Sequence, residues 1–234
     1  VSLFLQQAKA TPDNIAVVFK EKRYTYQQVD AISNSIASSL AGKGLGQGDV
    51  VSVLIPRCEW MAIASLGILK AGCAYQPLDP SYPKERLNFM MQDANARMLL
   101  SLDGATLSKQ EEEKGEGWLD GLDILSEKNI PVIDLNEFNP LHYDQHSASA
   151  PVSPDSLFIL LYTSGSTGIP KGCQLTHGNL VAFCHWYQRF YNLQPGHKVA
   201  AYASYGFDAC MMDLYPALTC GATVHIVPEE IRLD

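Results

Sequence analysis

The chain has 234 residues, 47% of them hydrophobic and 18% charged, enough to bury a sizeable core in one large or two small domains. Its formal net charge is −8 and it contains no run of Lys or Arg, so a surface that tracks a nucleic-acid backbone is excluded. No apolar run reaches the roughly 18 residues of a membrane span, and neither nucleic acid nor membrane is an expected partner. The N-terminal VSLFLQQAKATPDN lacks the charged start and apolar core of a signal peptide. The six cysteines form no CxxC pair and mostly lie in apolar runs, which reads as buried reduced thiols and predicts a cytoplasmic location.

In chain order, a short helix over residues 3–10 stops at Thr11-Pro12. Ile15–Phe19 and Arg23–Tyr26 read as strands around the turn Lys20-Glu21-Lys22. From Tyr26 to Leu40, helical spacing puts Val29, Ile32, Ile36, Ala37 and Leu40 on one face. GKGLGQGDV has glycines at 42, 44, 46 and 48, but it follows a helix and precedes a strand. A dinucleotide fingerprint needs the opposite order, so this is a helix C-cap and turn. Strand Val50–Ile55, helix Trp60–Lys70, strand Cys73–Leu78, helix Lys84–Asp93 and strand Met98–Ser101 follow. That alternation predicts a mostly parallel sheet covered by helices.

Residues 103–129 are acidic and Gly-rich, and read as a solvated surface excursion. Ile130–Leu135 is a further strand, and 139–154 an irregular connection. Leu157–Tyr162 is a strand, and Asn179–Tyr191 a helix whose stripe Phe183, Trp186, Tyr187 and Phe190 is expected in the core. Strand Lys198–Tyr202, a helix containing Asp213–Leu218 and strand Ala222–Val227 complete the pattern.

Between strand and helix lies Thr163-Ser164-Gly165-Ser166-Thr167-Gly168, then Ile169-Pro170-Lys171-Gly172. Four hydroxyls and two glycines allow close approach of backbone N–H donors to a ligand, and Lys171 adds a point charge. A loop opening at the end of a buried strand sits where α/β folds bind ligands, and this one suits a polyphosphate. It is not the common P-loop, because Pro170 occupies the glycine that GxxxxGK[ST] requires.

YTSGSTGIPKG is similar to the phosphate-binding signature of adenylate-forming enzymes, the superfamily of acyl-CoA synthetases, luciferases and adenylation domains of nonribosomal peptide synthetases. RYTYQQVDAISNSIASSL resembles their first conserved segment, and GFDACMMDLYPALTCGATVHIV their "FDxS" segment. LKAGCAYQPLDPSYPKERLNFMMQDANARMLL closely resembles the "LKAGxAYxPLDPxYPxERL" segment of peptide synthetases, which points to the amino-acid-activating branch. The resemblance implies an α/β fold: the N-terminal part of the family's large domain, with helix-flanked, mostly parallel sheets. It implies an AMP-forming ligase. An amino acid's carboxylate attacks ATP to give aminoacyl-AMP and pyrophosphate, and the acyl group passes to the phosphopantetheine thiol of a carrier protein. Positioning and charge neutralisation dominate such a first step.

By the same resemblance, Thr163, Ser164, Gly165, Ser166, Thr167, Gly168 and Lys171 take the ATP phosphates with Mg²⁺ bridging oxygens, and Lys171 is the catalytic cation. Asp208, set among apolar residues, takes the substrate ammonium or caps a helix; Ala209 and Met212 line the side-chain pocket. Cys210 stands where the family usually has Ser and is not expected to be a nucleophile. His177 either serves the following helix or sits near phosphate, with the structural role favoured. No match is found for the family's adenine, ribose, hinge and C-terminal lysine segments. The chain is therefore expected to be the N-terminal portion, 1–234, of an adenylation domain, with the C-terminal part as partner and no turnover alone. A D-alanine–carrier protein ligase and a non-catalytic nucleotide- or partner-binding module remain as alternatives, and a P-loop ATPase is disfavoured.

Overall fold

The computed structural model describes residues 1–102, 117–138, 150–163 and 169–232. Helix α1 (Ser2–Ala10) leads into the hairpin of β1 (Ile15–Phe19) and β2 (Lys22–Thr25), where Lys20 takes φ 52 in the turn. Helix α2 (Tyr26–Gly42) starts on a capping box, in which the Thr25 side chain accepts from the Gln28 amide and the Gln28 side chain from the Thr25 amide. Strand β3 (Val50–Leu54), helix α3 (Trp60–Lys70), strand β4 (Ala74–Leu78), helix α4 (Lys84–Asp93) and strand β5 (Met98–Ser101) continue. Helix α5 (Asp123–Glu127), strand β6 (Val132–Asp134) and a 3-10 turn at Leu135–Glu137 precede β7 (Leu157–Thr163) and β8 (Lys171–Thr176). Helix α6 (His177–Phe190), strand β9 (Lys198–Ala201), helix α7 (Ala209–Leu218), strand β10 (Thr223–Ile226) and helix α8 (Glu229–Arg232) follow.

The strands form two sheets, ordered β2-β1-β10-β9 and β6-β5-β3-β4-β7-β8. All pairs are parallel except the two hairpins, β1–β2 and β7–β8. The six-stranded sheet is covered on both faces, as parallel sheets require. Along β3, Val51 and Val53 enter one core, while Val50 and Leu54 enter the other. The first core contains α2, α3, α7 and both sheets; the second lies under α4 and α5. Helix α2 contacts the first sheet, α3 contacts the second, and the two helices pack on each other. A helical layer therefore separates the sheets.

All eleven residues of α3 are buried, including the terminal Lys70. An ammonium there must be paired. Its Nζ lies 2.5 Å from Asp30 Oδ1 and 2.7 Å from Asn34 Oδ1, both on α2, and it donates to the Asp30 carbonyl at 2.9 Å. Burial pushes its pKa down to about 8, with the Asp30 carboxylate opposing. The expected apolar face of α2 is the buried one.

Three sequence expectations change. Lys171–Thr176, unassigned from sequence, is a strand, so the Gly/Ser loop closes an antiparallel hairpin. The aromatic stripe of α6 is not core: Trp186 and Phe190 are 50% and 67% exposed. They stack on each other at 5.3 Å while His177 and Cys184 turn inward. Spacing identifies a face, but not what covers it. In the acidic excursion, Leu122 and Ile124 are buried in the second core, because α5 packs on α4. Residues 103–116 of that stretch, and 139–149 of the expected irregular connection, lie outside the described residues. The cysteines are all free; Cys58, Cys73, Cys184 and Cys210 are buried, Cys173 is exposed and Cys220 is half-buried.

Contact between α2 and α3 depends on Gly67, where a Cβ would lie 2.6 Å from Ile36 Cβ and Cγ2 and 3.1 Å from the Ser33 carbonyl oxygen. Gly67→Ala is predicted to destabilise the chain by about 1–3 kcal/mol through overpacking. Urea unfolding checks this, and an unchanged midpoint would refute it.

Candidate functional site

The carboxyl ends of parallel strands are where α/β sheets expose backbone and side chains to ligands. Strand β7 ends there at Thr163, which pairs with Lys171 across the β7–β8 hairpin. Both residues are exposed. Ser164, Gly165, Ser166, Thr167 and Gly168 lie outside the described residues. The hairpin is anchored by Tyr162, whose hydroxyl donates to Asp93 Oδ2 at the end of α4, 2.8 Å away. Burial, then the hydrogen bond to that carboxylate, keep the phenol protonated.

Helix α6 begins immediately after the hairpin. Thr176 and Asn179 form a reciprocal capping box there. His177 is the first residue of the helix and is 8% exposed. Its amide donates to the Ser156 carbonyl at 3.0 Å, and its ring meets Phe158 edge-on at 5.6 Å. Its Nε2 is buried without a hydrogen-bond partner among the described residues. Burial lowers its pKa to about 4. A neutral, enclosed imidazole fits the structural role and not a phosphate-neutralising one.

Asp208 is the N-cap residue of α7, with no side-chain capping bond. It is exposed, as is Phe207, which corrects the expectation of a carboxylate enclosed by apolar neighbours. Its place at the helix start accounts for this: Asp208 precedes the first turn of α7, whose Cys210, Met211, Leu214, Tyr215 and Leu218 are buried. Ala209 and Met212 are half-buried and stand one turn apart, with Asp208 one turn from Met212. Cys210 is 1% exposed, and burial, followed by the Asp213 charge, raises its thiol pKa. It is not a nucleophile in this setting.

The candidate residues thus form two groups: Thr163 and Lys171 on the hairpin, and Asp208, Ala209 and Met212 at the start of α7. An aromatic cluster ties their scaffolds together. Phe158 on β7 meets Tyr75 on β4 at 5.5 Å and Tyr215 on α7 at 5.1 Å. The Tyr75 hydroxyl donates to Met211 Sδ at 3.1 Å, and Tyr215 Oη lies 3.1 Å from Tyr75 Oη. Two residues that the sequence reading passed over, Arg57 and Asp213, hold the segment leading to Asp208. Their one sequence signal is a charge beside otherwise buried runs, at a strand exit and within a helix. Among the described residues no three His, Cys, Asp or Glu side chains converge to hold a metal, and no helix is long and apolar enough to cross a membrane.

The buried neutral His177 makes acid sensitivity predictable. Its folded pKa lies below its unfolded value, so its contribution is fully present above pH 6.5 and is lost as pH falls toward 4. His177→Gln is expected to flatten stability against pH across that window. Identical slopes for the two proteins in denaturant titrations would refute it.

The chain is 35% identical to bacitracin synthase 1 of Bacillus licheniformis over 232 residues, covering 99% of this chain and 4% of that protein. Against surfactin synthase subunit 1 of Bacillus subtilis (strain 168) it is 36% identical over 234 residues, covering 99% of this chain and 6% of that protein. The nonribosomal peptide synthetase FmoA3, in an AMPPNP-bound form, superposes with a TM-score of 0.81 at 27% identity, covering 97% of this chain and 22% of that one. The chain therefore spans only a small part of each relative. Residues 4–234 match the family described as AMP-binding enzyme, and the chain belongs to that family.

Proposed function

We propose that the chain serves as the N-terminal part of an amino-acid adenylation domain, an ATP-dependent, AMP-forming ligase. The observation that carries this reading is 35–36% identity to two peptide synthetases over 99% of the chain, with Asp208, Ala209 and Met212 grouped at the start of α7. Asp208, open to solvent, is proposed to take the substrate ammonium, while Ala209 and Met212 border its side chain. A charged hydrogen bond of this kind supports selection against acids that lack the amine.

The hairpin loop Thr163–Gly168 with Lys171 is proposed to hold the ATP phosphates, and Lys171 to offset charge as pyrophosphate leaves. The carboxylate is already nucleophilic, so these residues bind and orient and do not move protons. Mg²⁺ would neutralise phosphate oxygens when bound. The described part of the chain offers no cage of acidic or His ligands for it, and no step is assigned through it.

The proposed partners are the amino acid, a phosphopantetheinyl carrier protein that accepts the acyl group, and the remainder of the same domain. The exposed faces of Trp186, Phe190 and Tyr191, and the edge position of β9, fit burial against such a remainder.

Amino-acid-dependent ATP–pyrophosphate exchange by the complete enzyme tests the reading. Exchange is expected with one or a few amino acids and not with the 234-residue chain alone. Exchange with D-alanine alone would reassign it to carrier-protein ligases, and none with any amino acid would refute the reading. Asp208→Ala is predicted to raise the amino-acid KM roughly tenfold or more while the ATP KM stays within about twofold. Lys171→Ala should impair pyrophosphate handling more than amino-acid binding. Equal losses on both sides would remove it from the phosphate site.

A further inference from the structure

We propose that Arg57 and Asp213 are positioning residues that grip the segment before Asp208 from both sides and preset its approach to the substrate ammonium. This rests on the reading of Asp208 given above.

Arg57 follows β3 of the six-stranded sheet, yet its side chain, 6% exposed, crosses to the end of β9 in the other sheet. Nη1 donates to the Ala201 carbonyl at 2.8 Å, and Nη2 donates to those of Tyr202, at 2.8 Å, and Ala203. Nε donates to Glu229 Oε2 at 3.2 Å, and the guanidinium lies over the Tyr205 ring at 5.0 Å. The Asp213 carboxylate takes the other side of the same backbone. Its Oδ2 accepts from the amides of Tyr202 and Ala203, each at 2.8 Å. Residues 202 and 203 thus have carbonyls and amides both committed to charged groups. Such bonds are about twice as strong as neutral ones.

Rigidity continues to Asp208 through short turns. Phe207 N donates to the Ser204 carbonyl and Cys210 N to that of Phe207, both at 3.1 Å, and Met211 N to that of Asp208 at 2.9 Å. Tyr205 donates its hydroxyl to the Cys58 carbonyl at 3.1 Å, and Gly206 leaves room for Tyr82, whose Oη would lie 2.6 Å from an added Cβ. The strand that Arg57 follows and the phosphate hairpin belong to the same six-stranded sheet, in which β3 neighbours β4 and β4 neighbours β7. The grip therefore fixes the ammonium end of the site relative to the phosphate end. A lysine cannot reproduce it, because one ammonium does not present the planar fork that serves several carbonyls and a carboxylate together.

The experiment compares wild type with Arg57→Lys, Asp213→Asn and the milder Glu229→Gln in the complete enzyme, using exchange with the amino acid and with its deamino analogue. For Arg57→Lys and Asp213→Asn, the expected result is a roughly tenfold rise in amino-acid KM. The preference for the amino acid over the deamino analogue should fall by a similar factor, with ATP KM within about twofold; Glu229→Gln should shift the same way by less. A structural role alone would lower kcat with both KM values and the preference intact. That result, or joint movement of the two KM values in folded variants, overturns the proposal. If Arg57→Lys fails to fold, Asp213→Asn and Glu229→Gln decide by the same criterion. If wild type exchanges with no amino acid, or Asp208→Ala leaves the preference intact, the underlying reading fails and the proposal falls with it.

Discussion

Burial of α3 on every side is the constraint on which the rest of the structure depends. A helix apolar all round has no surface face, so it must be enclosed by other elements. Here the six-stranded sheet takes one side and α2 another, with each fully buried Leu, Ile or Met side chain contributing about 1.5–3 kcal/mol. Two residues make the enclosure possible. Gly67 lets α2 approach to side-chain contact distance, and Lys70 brings a charge that α2 answers with Asp30 and Asn34. Removing the Asp30 carboxylate would leave a buried ammonium without its ion pair, which is far costlier than never placing one there.

The same layer sets the site. Because β3, β4 and β7 run parallel in one sheet, their carboxyl ends open on the same edge. Helix α7 reaches that edge from the first sheet's side, joined through the cluster of Tyr75, Phe158 and Tyr215. This cluster is apolar in bulk, but its hydroxyls are satisfied by one another, by Ser65 and by Met211. Buried polar groups placed this way specify one arrangement instead of merely adding stability. Charge follows the same economy. An acidic chain places Arg57 where backbone carbonyls need it and Lys171 at the open end of a hairpin.

Membership in the AMP-binding family agrees with what the geometry can do chemically. The carboxylate substrate proposed for this chain needs no general base, and the described site contains no nucleophile–base pair: Cys210 is buried and protonated, and His177 is enclosed and neutral. What the scaffold offers is position. It supplies a hairpin at one end, an exposed carboxylate at the other, and a hydrogen-bonded segment between the two sheets.

The sequence by itself determined the helix–strand alternation from residue 50 to residue 101, the buried face of α2 and the family, because these live in local periodicity and contiguous motifs. For Asp208 it offered a helix start only as the alternative to an enclosed carboxylate; the structure puts Asp208 at the start of α7 and exposed. Only the tertiary structure decided what each face meets. Trp186 and Phe190 have core spacing yet stand in solvent, and Leu122 and Ile124 lie in an acidic stretch yet are buried. Strand β8 escaped notice because Lys171–Thr176 alternates weakly and is stabilised by pairing with β7. Arg57 and Asp213 showed in the sequence only as charges beside buried runs, without their role. Their partners are backbone groups of Ala201, Tyr202 and Ala203, and a backbone carbonyl or amide leaves no mark in the sequence that reaches it.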